Sequence, residues 1–198
     1  MRTITSIALE ITTACNLRCA QCCCAIGHRP AVHHPWDYFE HLAGFVHGIE
    51  RIDVTGGEPT MHPQFAIFAR RFRELFGCRR LTLETNGFMA REKARALDYF
   101  ELIRLSRYGD NDDVIDWILR RFPATVQNGS TCVEIQAEGD ERGHISRGRR
   151  GAGGPCHLGR SEFVAYADGR FFPCRVGPGI PGAISAPPSH AWREEVLR

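Results

Sequence analysis

Five of the nine cysteines in this 198-residue chain fall within ten positions, in the stretch "TTACNLRCAQCCCAIG" (residues 12–27). Cys15, Cys19 and Cys22 are spaced Cys-x-x-x-Cys-x-x-Cys, and Cys23 and Cys24 follow directly. Three thiolates on one loop can hold a [4Fe–4S] cluster by three irons and leave the fourth iron without a protein donor. The same loop also suits a structural zinc site, which takes four protein ligands, with Cys23, Cys24 or His28 as the fourth. A second constellation is Gly56-Gly57-Glu58-Pro59. Paired glycines let backbone come close to a ligand, Glu58 offers a carboxylate to an ammonium group, and Pro59 stiffens the turn. An ordinary strand-to-helix turn has the same composition.

Each stretch follows a strand-like run. Ser6–Thr12 reads as a strand ahead of the cysteine loop, and Arg51–Thr55 as a second ahead of the glycine pair. Between them Phe39, Leu42, Ala43, Val46 and Ile49 recur at helical spacing, predicting a helix from Pro35–Trp36 onward. Phe65, Phe68, Ala69, Phe72, Leu75 and Phe76 make the clearest apolar stripe, with Gly77 as its stop. Arg80–Thr85 is a third strand, followed by a weaker helix over Met89–Tyr99, and Leu102–Tyr108 is a fourth. Asp110–Asp113 load the start of the next helix with acid and Arg120-Arg121 its end, where Pro123 stops it. Thr131–Gln136 is a fifth strand.

Strands alternating with helices predict an α/β fold with a parallel sheet, built as a partial barrel or an open doubly wound sheet. Ligands then sit at the carboxyl ends of the strands. The cysteine loop, Gly56–Thr60, Asn86-Gly87 and Arg107–Asp110 are thus expected to share one mouth. The rhythm breaks after Gln136, which divides the chain into a core (1–136) and an extension (137–198). Gly139–Pro155 is rich in glycine and arginine and reads as a loop. "EFVAYADGRFFPC" reads as a hairpin turning at Asp168-Gly169, and a Pro/Gly-rich tail ends in a short helix capped by Ser189.

Composition narrows the setting. The apolar fraction of 43% is globular, and the net charge of +2 implies no polyanionic partner, so no nucleic acid is expected. Lys93 is the only lysine, so the positive charge is arginine, in line with codon bias. The N-terminus lacks the pattern of an export signal, and no apolar run approaches the ~20 residues of a membrane span. A cytoplasmic location is expected, where clustered thiols serve metal or catalysis rather than disulfides.

Taken together, Cys15, Cys19 and Cys22 after the first strand and Gly56-Gly57-Glu58-Pro59 after the second resemble the radical S-adenosylmethionine (SAM) superfamily. "LETNG" (83–87) and "LSRYG" (105–109) at the next two strand ends add to the likeness, which spans residues 4–136. The resemblance implies a partial (β/α) barrel whose [4Fe–4S] cluster, held by Cys15, Cys19 and Cys22, binds SAM at its open iron. Glu58 and the Gly56-Gly57 backbone would hold the SAM amino group, beside Pro59. Ser106 and Arg107 would meet its ribose or carboxylate, with Glu84 or Asn86 assisting. One electron then cleaves SAM to methionine and a 5′-deoxyadenosyl radical, which takes hydrogen from a substrate. A flavodoxin or ferredoxin type donor is implied as partner. Members often carry an aromatic residue before the third cysteine; here it is Gln21, so adenine packing must differ.

Cys156 and Cys174 flank the hairpin in a way similar to a shortened SPASM or twitch extension, which binds an auxiliary iron–sulfur cluster. Cys132, Cys78 or His157 would complete such a site; the alternative is that both cysteines are plain apolar residues. Cys78, beside a helix end, reads as a buried small residue. With the first strand starting near residue 6, no preceding peptide-binding domain is expected, and no cobalamin domain. The expected activity is hydrogen abstraction from a small polar metabolite in natural-product or cofactor biosynthesis. Two other readings stand beside it: an activating enzyme that makes a glycyl radical on a partner protein, and a non-catalytic zinc or iron–sulfur module.

Overall fold

The computed structural model describes residues 5–19, 30–44, 46, 48–108 and 110–122, and the backbone of three further strands at 132–136, 162–165 and 171–172. The strands are β1 (Ser6–Glu10), β2 (Arg51–Thr55), β3 (Arg80–Thr85), β4 (Leu102–Ser106), β5 (Cys132–Gln136), β6 (Glu162–Ala165) and β7 (Phe171–Phe172). They form one sheet in the order β5-β4-β3-β2-β1-β6-β7. Every neighbouring pair is parallel except β6 and β7, which are antiparallel. The terminal strands β5 and β7 do not pair with each other, so the described sheet is an open arc.

Helices α1 (Trp36–Ala43), α2 (Phe65–Phe76), α3 (Ala94–Leu97) and α4 (Asp112–Arg121) lie between successive strands in the chain. The period of two along each strand sorts the side chains to opposite faces. Ile7, Leu9, Ile52, Val54, Leu81, Leu83, Ile103 and Leu105 are fully buried in one core with Phe39, Phe65, Phe68 and Phe72 of the helices. The alternate positions carry Ser6, Glu10, Arg51, Asp53, Thr55, Arg80, Thr82, Glu84, Arg104 and Ser106, with Ala8 and Leu102 among them. A doubly wound parallel sheet is apolar on both faces. Polar residues at most of these positions therefore mark the partial barrel, with helices outside and a largely hydrophilic inner face.

Several elements end earlier than their periodicity predicts. Helix α1 stops at Ala43, capped by Gly44, and Val46 and Ile49 are buried without being helical. Helix α3 covers four residues instead of Met89–Tyr99, with turns over 88–93. Strand β1 ends at Glu10, since Thr13 N bonds the Val32 carbonyl, and β4 ends at Ser106, since Tyr108 N bonds Asn111 Oδ1 within its own loop. The expected hairpin is present as β6 and β7, and β6 extends the core sheet in parallel alongside β1. Its turn at Asp168-Gly169, Pro123, the loop at 139–155 and the tail with Ser189 lie outside the described residues.

Candidate functional site

The cysteine loop leaves the sheet through a neck of hydrogen bonds. Thr12 forms an antiparallel bridge with His33, Thr13 N donates to the Val32 carbonyl at 2.9 Å, and His34 N donates to the Ile11 carbonyl at 3.0 Å. The two threonine hydroxyls double the seam. Thr12 Oγ1 donates to the Val32 carbonyl at 2.9 Å and lies 2.8 Å from His33 Nδ1. Thr13 Oγ1 donates to the Pro30 carbonyl and accepts from Val32 N at 2.7 Å. Beyond this neck Cys15 and Cys19 are half-buried, and Leu17 N points at Cys15 Sγ, 3.4 Å away. Cys22, Cys23, Cys24 and His28 lie outside the described residues.

The glycine turn lies directly on that loop. Gly57 N donates to the Thr12 carbonyl and Glu58 N to the Ala14 carbonyl, both at 2.8 Å. A Cβ on Gly56 would stand 2.4 Å from the Thr12 carbonyl oxygen, and one on Gly57 2.3 Å from that of Ala14. Gly56 also has φ +155, a conformation that side-chain-bearing residues avoid. The close backbone approach that the glycines permit is thus, first of all, an approach to the cysteine loop itself.

Glu58 is wholly buried and turned into the protein. Its Oε1 accepts from Thr60 N at 3.1 Å, from the Thr60 hydroxyl, and from the Thr85 hydroxyl at 2.7 Å. Its Oε2 accepts from Asn86 N at 2.7 Å. Burial pushes its pKa up, and the hydrogen bonds from Thr60, Asn86 and Thr85 pull against that rise. The carboxylate therefore ties the end of β2 to the end of β3. Pro59 is buried and opens a single 3₁₀ turn, Pro59–Met61, that leads toward α2.

Next to it, His62 closes the corner. Its Nδ1 accepts from Gln64 N at 3.0 Å, which makes Nε2 the donor to the His34 carbonyl at 2.8 Å. Burial, opposed by that carbonyl bond, lowers its pKa to about 4, with the charges of His33 and His34 adding to the fall. His62 thus binds the β2 turn to the returning limb of the cysteine loop.

The remaining expected residues divide. Asn86 and Gly87 do reach the mouth, where Asn86 Nδ2 donates to Asn16 Oδ1 at 2.8 Å. Ser106 ends β4 there, and its carbonyl accepts from Asn111 Nδ2 at 2.8 Å. Arg107 is half-exposed at the rim, with its Nε 3.0 Å from Asp112 Oδ1. Glu84 belongs to the inner face, where Arg104 stands 3.5 Å from it and 3.9 Å from the buried Asp53. Arg51 also contacts Asp53, at 3.2 Å. Cys78 is buried at the end of α2, and burial raises its pKa, as a plain core residue requires. Of the second cysteine set, Cys132 is placed only by register, opposite Leu102; Cys156, His157 and Cys174 lie outside the described residues.

The donor chemistry at the mouth fits an iron–sulfur cluster. Cys15 and Cys19 bring soft thiols to one end of a parallel sheet, on a loop whose base is closed by backbone and threonine bonds. Among the described residues no group of three or more His, Cys, Asp or Glu forms a competing metal site. No described helix is long and apolar enough to cross a membrane.

Comparison with known proteins agrees with this geometry. The family model "Radical SAM superfamily" matches residues 9–122, more than half of the chain. The chain is 37% identical over 101 residues to a GTP 3′,8-cyclase of Geobacter sulfurreducens, covering 48% of this chain and 31% of that protein. It is 32% identical over 118 residues to the GTP 3′,8-cyclase of Campylobacter jejuni subsp. doylei, covering 53% and 34%. The match thus spans about a third of the length of these relatives. Among solved structures, BtrN in complex with AdoMet and 2-DOIA superposes with a TM-score of 0.62 at 17% identity, over 88% of this chain and 74% of that one. BtrN in an open conformation gives 0.56 at 15% identity, over 88% and 71%, and both likenesses speak for the fold. The chain belongs to the radical SAM superfamily, enzymes that carry a [4Fe–4S] cluster and SAM.

Proposed function

We propose that this protein is a radical SAM enzyme acting on a small polar metabolite, in natural-product or cofactor biosynthesis. The observation that carries the reading is the direct seating of the Gly56-Gly57 turn on Thr12–Ala14, which puts the thiol loop and the turn at one mouth. Cys15, Cys19 and Cys22 would hold the [4Fe–4S] cluster. With cluster and SAM bound, the chemistry supplied is one-electron cleavage of SAM and hydrogen-atom abstraction from the substrate.

The chain's own residues position and enclose. The backbone of Gly56 and Gly57 receives the SAM amino group. Glu58 serves that contact by fixing the turn, since both of its oxygens already accept from Thr60, Thr85 and Asn86. Ser106 and Arg107 stand at the rim toward the ribose and carboxylate, with Arg107 exposed enough to exchange Asp112 for a ligand. The inner face with Asp53, Glu84 and Arg104 offers both charges to a hydrophilic substrate. A flavodoxin or ferredoxin type protein would deliver the electron. Cys156 and Cys174, with Cys132, are the residues for an auxiliary cluster, and an iron count of about eight rather than about four per chain would register it.

A second substrate reading follows from the relatives named GTP 3′,8-cyclase, which match about half of this chain. One experiment addresses both. The full chain, reconstituted anaerobically and reduced with dithionite, is incubated with SAM, with and without GTP. Formation of 5′-deoxyadenosine, lost in Cys19→Ala, is the expected result, and intact SAM under strong reduction overturns the reading. Conversion of GTP would select the nucleotide; cleavage of SAM with GTP untouched keeps the search among other polar metabolites.

A further inference from the structure

Asn86 is the point where the loops after four successive strands meet. Its side-chain Nδ2 donates to Asn16 Oδ1 at 2.8 Å, across 70 residues of chain. Its side-chain Oδ1 accepts from Phe88 N at 3.1 Å, its backbone N donates to Glu58 Oε2 at 2.7 Å, and its carbonyl accepts from Asn111 Nδ2 at 2.8 Å. Asn111 in turn bonds the Ser106 carbonyl at 2.8 Å and accepts from Tyr108 N at 3.0 Å. Asn86 and Asn111 are buried, whereas Asn16 is exposed on the loop between Cys15 and Cys19.

We propose that Asn86 is a positioning residue that latches the Cys15–Cys19 segment, through Asn16, onto the Glu58 and Asn111 anchors of the sheet. The chemistry of the contacts supports this. Asn86 places its amide oxygen on its own turn and an amide hydrogen on Asn16, so its side chain joins the β3 turn to the loop. Asn16 is the neighbour of Cys15, and its side chain ties the described loop to the end of β3. The neck and the Glu58 N bond to the Ala14 carbonyl hold the residues before Cys15; the Asn16 tie holds the residue after it, so the first thiol is fixed from both sides and kept in register for the metal.

The inference rests on the reading of Cys15, Cys19 and Cys22 as cluster ligands, and its test reads iron rather than turnover. The full-length protein is reconstituted anaerobically, and iron release to a ferrous chelator is timed without SAM. Asn16→Ala, at an exposed position and compared at a temperature where the variant remains folded, is expected to release iron about five- to tenfold faster, the scale of one lost hydrogen bond. Asn16→Asp keeps the acceptor oxygen and is expected to return release to near the wild-type rate. Asn86→Ala should be at least as fast as Asn16→Ala, and the double variant no faster than Asn86→Ala, the signature of one shared contact. Wild-type release from Asn16→Ala, or additive losses in the double variant, overturns the latch while leaving the cluster reading intact. Wild-type protein that takes up no iron overturns both.

Discussion

A buried carboxylate or imidazole keeps its place only if the fold supplies its partners, and the two at this mouth do so in opposite electrical senses. Glu58 sits among donors alone, so it is held as an acceptor although burial raises its pKa. A carboxyl with a raised pKa adds stability below about pH 4.5 and loses it as pH rises. His62 behaves in reverse. Burial holds it neutral, with a pKa of about 4 in place of 6.5, and its Nδ1 accepts from the Gln64 N–H. The unfolded chain binds a proton at His62 below about 6.5 and the folded chain only near 4, so its contribution is full above 6.5 and is lost as pH falls between those values. Denaturant unfolding at pH 7 and pH 5 should therefore show wild type losing about 2 kcal/mol more than His62→Gln, which does not titrate. Equal losses would show that His62 is not the group held neutral.

At the scale of elements, the mouth is made by backbone meeting backbone. Gly57→Ala pushes a methyl against the Ala14 carbonyl, 2.3 Å away, with no flexible side chain to yield. The expected cost is about 2–4 kcal/mol by denaturant unfolding, and a loss under 0.5 kcal/mol would mean the loop gives way freely. Local pattern announced much of this region. The phenylalanine stripe of α2 and the cap at Gly77 appear where the 3.6-residue period puts them. The thiol spacing and the glycine pair were recognisable because each lies within a few residues of chain. What the sequence could not disclose is what those groups touch. The glycines face the cysteine loop, Glu58 faces Thr85 and Asn86, and Asn16 meets Asn86; each partner is distant in sequence and leaves no periodic trace. Thr12, Thr13, His62 and Asn111 were passed over for the same reason, although small polar residues clustered just past strand ends are the signal such seams leave. The short α3 shows the opposite error, since alternating alanines and arginines suggest a helix where turns over 88–93 take most of the span.

Across the whole molecule, one face of a parallel arc packs on helices and the other keeps its charges, which is how a partial barrel differs from a doubly wound sheet of the same strand order. Strand β6 widens that arc beside β1, the strand that leads into the thiol loop. Asp53, Glu84 and Arg104 line the inner face below the mouth. The proposed function requires a metal at this mouth that keeps one coordination position for SAM. Electron paramagnetic resonance of the reconstituted, dithionite-reduced full chain tests that directly. The account predicts a [4Fe–4S]⁺ signal whose g-values move when SAM is added. A signal indifferent to SAM, or no iron–sulfur signal at all, would contradict it.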